Sequence, residues 1–302
     1  MIKRIVEIAH ASKVTVKDNQ LVVEQEGQIV SRLPVEDLGM LLLAHPGNII
    51  TQQALAACQQ AGVAVALCND KYLPISLILP LAGGALHTAT LLMQIRAKPP
   101  IERMLWRSIV AAKILAQARH LSAYGKESQH LDELAKRVRE ADASQQEAQA
   151  ASYYWRKLLG TGFRRDPASD GFNALLNYGY AILRAAVARA VVGTGLHPAL
   201  GIFHHNRGDS FALADDLMEP LRPAIDSLAL QEWEGGRHSV DPVTKRAMLE
   251  FLSSNVEMLG QTLPLWVALQ RYAASVKAVL AEEAKQVEIP EWRFSAATAP
   301  CG

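Results

Sequence analysis

The chain has 302 residues, half of them hydrophobic and a fifth charged, with a net charge of +1. That length allows two domains and a substantial core, while the near-neutral balance means that a nucleic-acid partner would have to be held by local basic patches and not by overall charge. Its three cysteines, Cys58, Cys68 and Cys301, are odd in number and form no CxxC, which argues against a disulfide framework and against a cysteine zinc site. The opening MIKRIVEIAH lacks the apolar core of a signal peptide. No uninterrupted apolar run approaches the roughly 18 residues of a membrane span, so a soluble cytoplasmic protein with no membrane association is expected.

The first eighty residues read as strands. IKRIVEI, KVTVK, QLVVEQ and QIVSRL are short, rich in Val and Ile, and separated by polar turns at Lys17-Asp18-Asn19 and Glu26-Gly27, the spacing of a meander. LGMLLLA, VAVALCN and PISLILP add three more strand candidates, and Thr51 is placed to cap a short helix running to Ala61. The pattern changes near Leu81-Ala82-Gly83-Gly84. Beyond it the apolar period is helical: 101–121 carries Leu105, Ile109, Ala112, Leu115 and Ala116 on one face, and 144–159, 171–192, 211–219, 241–258 and 262–283 behave similarly. The expected architecture is α+β, with a small N-terminal β-rich, sandwich-like domain over residues 1–82 and a larger all-helical domain over 83–302. The tail beyond Val287 is read as irregular.

The chemistry-bearing residues lie in the second part. In SFALADDLMEP, Ser210 is placed to cap a helix that Pro220 limits. Asp216 and Glu219, three apart, share one face of it, and Asp215 points about 100° away. On spacing alone, solvated acids on an amphipathic helix are the favoured reading, and oxygen ligands for a hard cation are the sharper alternative. His204 and His205 precede that helix; adjacent side chains of an extended segment point opposite ways, so at most one serves a given site. Glu147, beside Ala148, Ala150 and Ala151, is either an exposed helical acid or a partly buried one in need of a partner. Basic residues recur along 96–119 (Arg96, Lys98, Arg103, Arg107, Lys113 and Arg119), at Arg164 and Arg165, and at Arg184 and Arg189. Such elements usually form solvated faces, and several together hint at a phosphate-binding surface. Arg164 and Arg165 lead as phosphate contacts, then Arg184 and Arg222. Tyr178 and Tyr154 could stack on a splayed base or pack between helices. The remaining histidines, His120 among them, read as structural.

Three segments, EAQAASYYW, NALLNYGYAILRAAVARAVVGTGLHPALGIFHH and SFALADDLMEPLRPAID, in this order and at these separations, resemble the CRISPR adaptation integrases, the Cas-one family, and its shorter type II branch in particular. LPVEDLGMLLLAHPGNIIT and VAVALCNDKYLP extend the likeness to the N-terminal part. The resemblance implies Glu147, His204 and Glu219 as catalytic metal ligands. His204 is favoured over His205 because Gly201-Ile202-Phe203-His204 fits the family's Gly-x-x-His pattern. Asp216 matches an acid close to the site, and Arg222 could orient a carboxylate as an outer partner. Ala148 departs from the glycine that many relatives carry after the first acid, without touching the metal-ligand set.

The family's activity is metal-dependent DNA integration with endonuclease activity: the 3′-hydroxyl of a short prespacer duplex attacks a phosphodiester of the CRISPR repeat. Mg²⁺ or Mn²⁺ is the implied cofactor, and a His among the ligands makes Mn²⁺ at least as suitable. The implied partners are DNA, a second copy paired through the β-rich domain, and the small Cas-two protein. Two alternatives stand beside integration: a stand-alone metal nuclease on branched DNA that uses the same site, and a non-catalytic DNA-binding scaffold that keeps the basic surface without needing the acids.

Overall fold

Short β-branched segments joined by two-residue turns build the N-terminal half of the computed structural model, which describes residues 4–69, 74–80, 87–205 and 209–295. Strands β1 (Arg4–Ile8), β2 (Lys13–Lys17), β3 (Gln20–Gln25), β4 (Gln28–Pro34), β5 (Leu38–Leu43), β6 (Ile49–Ile50), β7 (Ala64–Cys68) and β8 (Pro74–Ile78) form two four-stranded sheets, ordered β1-β5-β7-β8 and β4-β3-β2-β6. The tight turns follow from backbone preference. Asp18 and Asn19, then Glu26 and Gly27, take positive φ, the conformation that a two-residue hairpin loop needs to match strand twist. The meander thus covers β2, β3 and β4, whereas β1 leaves it to pair in parallel with β5 in the other sheet. Helix α1 (Gln52–Gln60) begins at Thr51, whose hydroxyl accepts from the Ala54 amide.

β5 is buried along its whole length because both of its faces are covered. Leu41 and Leu43 pack with Val14, Leu21 and Val65 between the two sheets. Met40 and Leu42, pointing the other way, join the core of the helical half together with Ala64 and Ala66. The sandwich and the helices therefore share a packed boundary. The hinge expected at Leu81-Ala82-Gly83-Gly84 lies outside the described residues, as does the end of the tail.

The helical half comprises α2 (His87–Ile95), α3 (Pro99–Ala123), α4 (Gln129–Arg137), α5 (Gln146–Leu159), α6 (Phe172–Gly193), α7 (Ala212–Met218), α8 (Arg222–Glu234), α9 (Pro242–Phe251) and α10 (Leu265–Leu280), with a hairpin of β9 (Asn255–Met258) and β10 (Gln261–Pro264) before α10. α3 and α6 run through the middle. α6 is long and apolar enough by composition to cross a bilayer, but 83% of its most apolar window is buried inside the protein, as a central core helix requires. It also approaches α8 closely: a Cβ on Gly179 would stand 2.5 Å from the Ile225 side chain.

The apolar face expected for α3 is rotated. Leu115 is exposed, and the buried side carries Trp106, Lys113, Gln117 and His120 beside Leu105 and Ile109. Two further expectations are corrected. Ser210 does not cap α7, whose first turn follows Phe211 without a side-chain cap. Pro220 does not end the helical path either: Glu219–Leu221 tightens to a 3-10 turn, and α8 starts directly after it with Pro223 in its first turn, where the missing N–H costs nothing.

Candidate active site

Three residues of α3 at seven-residue spacing, about two helical turns, each organise one part of the site. Trp106 carries the histidine loop: its ring stacks on Phe203 (centroids 4.4 Å apart, planes 2° apart) and meets the edge of His204 at 5.5 Å. Lys113 carries the acids: its Nζ lies 2.6 Å from Glu147 Oε1 on α5 and 2.5 Å from Glu219 Oε2 in the turn after α7. His120 closes the floor, with Nδ1 2.7 Å from the Tyr154 hydroxyl, which donates to Asp226 Oδ2. That hydroxyl has one proton, so the neutral His120 ring donates from Nδ1.

Local chemistry aims each acid. Asp142 accepts from the backbone amides of Gln146 and Glu147 (2.8 and 2.9 Å), tying down the first turn of α5 after an entry in which Ala141, Asp142 and Gln145 all hold positive φ. Such backbone is strained for residues with a Cβ and persists where surrounding contacts impose it. Asp216, fully buried, accepts from the Ile202 and Phe203 amides through Oδ2 (2.6 and 2.8 Å) and meets His204 Nδ1 through Oδ1 at 2.5 Å. The loop closes so tightly that a Cβ at position 201 would stand 2.2 Å from the His204 carbonyl oxygen and 3.1 Å from Asp216 Oδ2, so Gly201 is sterically required. With Nδ1 engaged by the carboxylate, Nε2 is the ring nitrogen left to ligate, and the side chain is 43% exposed.

Glu219 is the most enclosed acid, with a side chain 7% exposed. Burial pushes its pKa up, but Arg222, whose Nη1 donates to Oε1 at 2.7 Å, and Lys113 outweigh burial and hold the carboxyl at about 2. Burial likewise pushes Lys113 down, and Glu219 and Glu147 more than reverse it. His204 is raised by its hydrogen bond to Asp216, with Glu219 and Glu147 close enough to add to the effect. Beneath these groups Tyr180 donates to Asp226 Oδ1, and the Arg222 guanidinium lies over the Tyr180 ring, 4.3 Å from its centroid.

Glu147 and Glu219 are therefore brought together, with His204 beside them and Asp216 and Arg222 each holding one of the three. Among the described residues no group of three His, Cys, Asp or Glu side chains closes on a single ion position. The Lys113 ammonium stands between the two carboxylates. The donor set nonetheless fits a divalent cation: two carboxylates, a free imidazole nitrogen, and a buried Glu219 Oε2 that has no hydrogen bond of good geometry.

The basic residues divide. Arg165 donates to Asn173 and Asn177, and Arg184 forks onto Asp215 (2.5 and 2.6 Å), so both are already partnered. Arg164 is exposed and lines a cavity of about 510 Å³ with Arg156, Arg165, Arg222, Trp155 and Lys113. A second cavity of about 380 Å³ joins His204 and Glu219 to Arg184, Arg222 and Tyr180. Tyr178 and Tyr154 are 1% and 0% exposed, so against the stacking expectation neither has a ring face to offer a base, and both pack in the helical core. The basic row of α3 is largely spoken for as well: Lys98, Arg103 and Arg119 pair with Glu282, Glu140 and Glu291. Lys113, counted with that row from sequence, is a site residue. Its signal was positional, seven residues after Trp106 on the apolar stripe.

Residues 8–247 match the family described as CRISPR associated protein Cas1. The chain belongs to the Cas1 family. It is 34% identical over 289 residues to the CRISPR-associated endonuclease Cas1 of Neisseria meningitidis serogroup C (strain 8013), with 94% of each protein covered; the type II branch inferred from sequence agrees with this relative. Its fold matches that of a casposase bound to integration product (TM-score 0.81, 16% identity, 99% of this chain and 96% of that one). A chain of a Cas6-RT-Cas1–Cas2 complex also matches (TM-score 0.73, 16% identity), covering 93% of this chain and 35% of the larger one. The strand-rich start followed by helices is thus a Cas1 architecture, in an endonuclease and integrase family.

Proposed function

We propose that this Cas1-family chain is a metal-dependent DNA integrase that joins the 3′-hydroxyl of a short prespacer duplex to a phosphodiester of a CRISPR repeat. The oxygen of that hydroxyl forms a new bond to phosphorus, the bond from phosphorus to the repeat's 3′-oxygen breaks, and the hydroxyl proton balances the departing oxygen. No protein nucleophile takes part. The observation that carries this reading is the convergence of Glu147 on α5 and Glu219 in the turn after α7 on one cationic group, the Lys113 ammonium, beside His204.

Glu147, Glu219 and His204 would hold the Mg²⁺ or Mn²⁺. A divalent ion there supplies Lewis acidity to the attacking hydroxyl and the charged phosphorane. Asp216 keeps His204 in one ring orientation, and Arg222 keeps one oxygen of Glu219 engaged so that the other faces the site. Arg164, with the rims of the two cavities, offers charge to backbone phosphates, which position DNA without reading its bases. Arg165 and Arg184 are held in secondary positions by their present partners.

The likeness to a casposase bound to integration product supports DNA as substrate, and the likeness to a Cas1–Cas2 complex supports a Cas2 partner. A homodimer paired through residues 1–82 completes the reading; β4 leaves Ile29 and Val30 about half exposed on the outer sheet.

The test follows labelled 3′-hydroxyl DNA in the presence of a repeat-containing plasmid, with and without Cas2. Joining that needs a divalent ion and is lost in Glu147→Gln, His204→Ala and Glu219→Gln, with duplex binding retained, is the expected result. Cutting without joining would favour the nuclease alternative. Normal joining by all three variants would overturn the assignment of these residues, and duplex binding with neither joining nor cutting in wild type would leave only a scaffold.

A further inference from the structure

Lys113 has no part in the ligand set, yet it occupies the centre of the site. Its ammonium lies 2.6 Å from Glu147 Oε1 and 2.5 Å from Glu219 Oε2, with the side chain 11% exposed. A divalent ion held by Glu147 and Glu219 would compete with that ammonium for the same two carboxylates. We infer that Lys113 is an internal counter-cation, which holds Glu147 and Glu219 together before the divalent ion arrives and is displaced from between them when it binds. This rests on the metal-site reading proposed above.

Three observations support it. First, two carboxylates facing one small volume repel each other unless a cation lies between them. Lys113 supplies that charge from α3, 2.6 and 2.5 Å from the two oxygens, and so fixes their spacing. Second, Lys113 is the partner that Glu219 Oε2 has in this structure, and the contact is an ion pair. Arg222 holds the other oxygen with a good bond and can stay in place when Lys113 leaves. Third, Lys113 also lines the cavity of about 510 Å³, where Gln117, Ser152 and Asp226 share the walls with Arg156, Arg164, Arg165 and Arg222. The displaced ammonium would turn towards the side of Gln117 and Asp226, away from the arginines. Its flexible four-carbon stem allows the swing without movement of α3.

A purely structural ion pair makes a different forecast: its loss would weaken the fold equally with and without metal. Manganese titration followed by the EPR signal of free Mn²⁺, together with thermal unfolding in EDTA and in saturating Mn²⁺, separates the two on wild type, Lys113→Met, Lys113→Gln and Glu147→Gln. In Lys113→Met and Lys113→Gln, removal of the competitor should tighten Mn²⁺ binding by about tenfold, equivalent to about 1.4 kcal/mol. Both variants should melt earlier than wild type in EDTA and recover most of that loss in Mn²⁺. A variant that folds only with Mn²⁺ present supports the inference too, since the ion then replaces the ammonium. Mn²⁺ affinity that is unchanged or weaker in both variants overturns it, as does a melting loss of the same size in EDTA and in Mn²⁺, or failure to fold in either. If wild type and Glu147→Gln bind Mn²⁺ alike, the metal site itself is misassigned. If Glu147→Gln abolishes binding while the Lys113 variants match wild type, only the role of Lys113 fails.

Discussion

The two cores of this molecule are built on opposite principles. Between the N-terminal sheets the filling is apolar, and Ser12, just before β2, is the one buried polar side chain among the described residues up to position 80. In the helical half, Lys113, Gln117, His120, Asp216, Glu219 and Asp226 run through the packed interior. Enclosing charge usually costs more than an apolar replacement of the same shape, so a fold built for stability alone would resemble the first core. The second core retains its charges because they hold Glu147, His204 and Glu219 in place. Stability and activity should therefore separate between the two regions.

The largest contrast is expected at Glu219. Glu219→Ala leaves Lys113 and Arg222 facing each other without their shared acid, and should cost about 3–5 kcal/mol in EDTA, the scale for breaking a buried pair, while abolishing joining. Denaturant melts and the plasmid assay read both effects. In the apolar core, Leu41→Ala should cost about 3 kcal/mol through the cavity it leaves, yet joining per folded molecule should match wild type at a temperature where the variant is folded. A lost activity there would break the contrast.

His120 provides a pH signature of the charged core. Burial holds its pKa down at about 3, below its ordinary 6.5, so the unfolded chain takes up that proton first as pH falls. The contribution is complete above about pH 6.5 and drains away towards pH 3; between 6.5 and 5 it amounts to about 2 kcal/mol. Melting temperature against pH should fall less steeply for His120→Phe than for wild type over that interval, and equal slopes would contradict the assignment. A smaller effect belongs to the rim. Arg164→Ala should weaken duplex binding uniformly across sequences and lower the salt-dependence slope by about 0.9, measured by anisotropy at several salt concentrations.

Much of the sandwich was legible, because period-two patterning and positive-φ turn residues are local signals. All seven strand segments read from the sequence form strands, and the helix capped by Thr51 forms as well. The hairpin of β9 and β10 was absorbed into helices on either side because Leu259, an unusual residue for positive φ, makes its turn with Gly260. α8 is hidden in the sequence because Pro220 reads as a stop, although Pro223 is a starting signal. Glu147, His204, Asp216 and Glu219 came from motif resemblance; spacing alone favours solvated acids. Lys113 was missed for a physical reason. A lysine among arginines reads as surface until the rotation of α3 is known, and that rotation depends on packing against α5, α8 and the turn after α7.

The central claim is that three side chains from α5, the 201–204 loop and the turn after α7 share one divalent ion. Crystals grown with MnCl₂ and measured at the manganese absorption edge test it directly. The account predicts one strong anomalous peak in contact with Glu147, Glu219 and Nε2 of His204, with Lys113 Nζ moved out from between the acids. A peak lacking any one of those three contacts, or manganese bound elsewhere while Lys113 still bridges the two carboxylates, would contradict it.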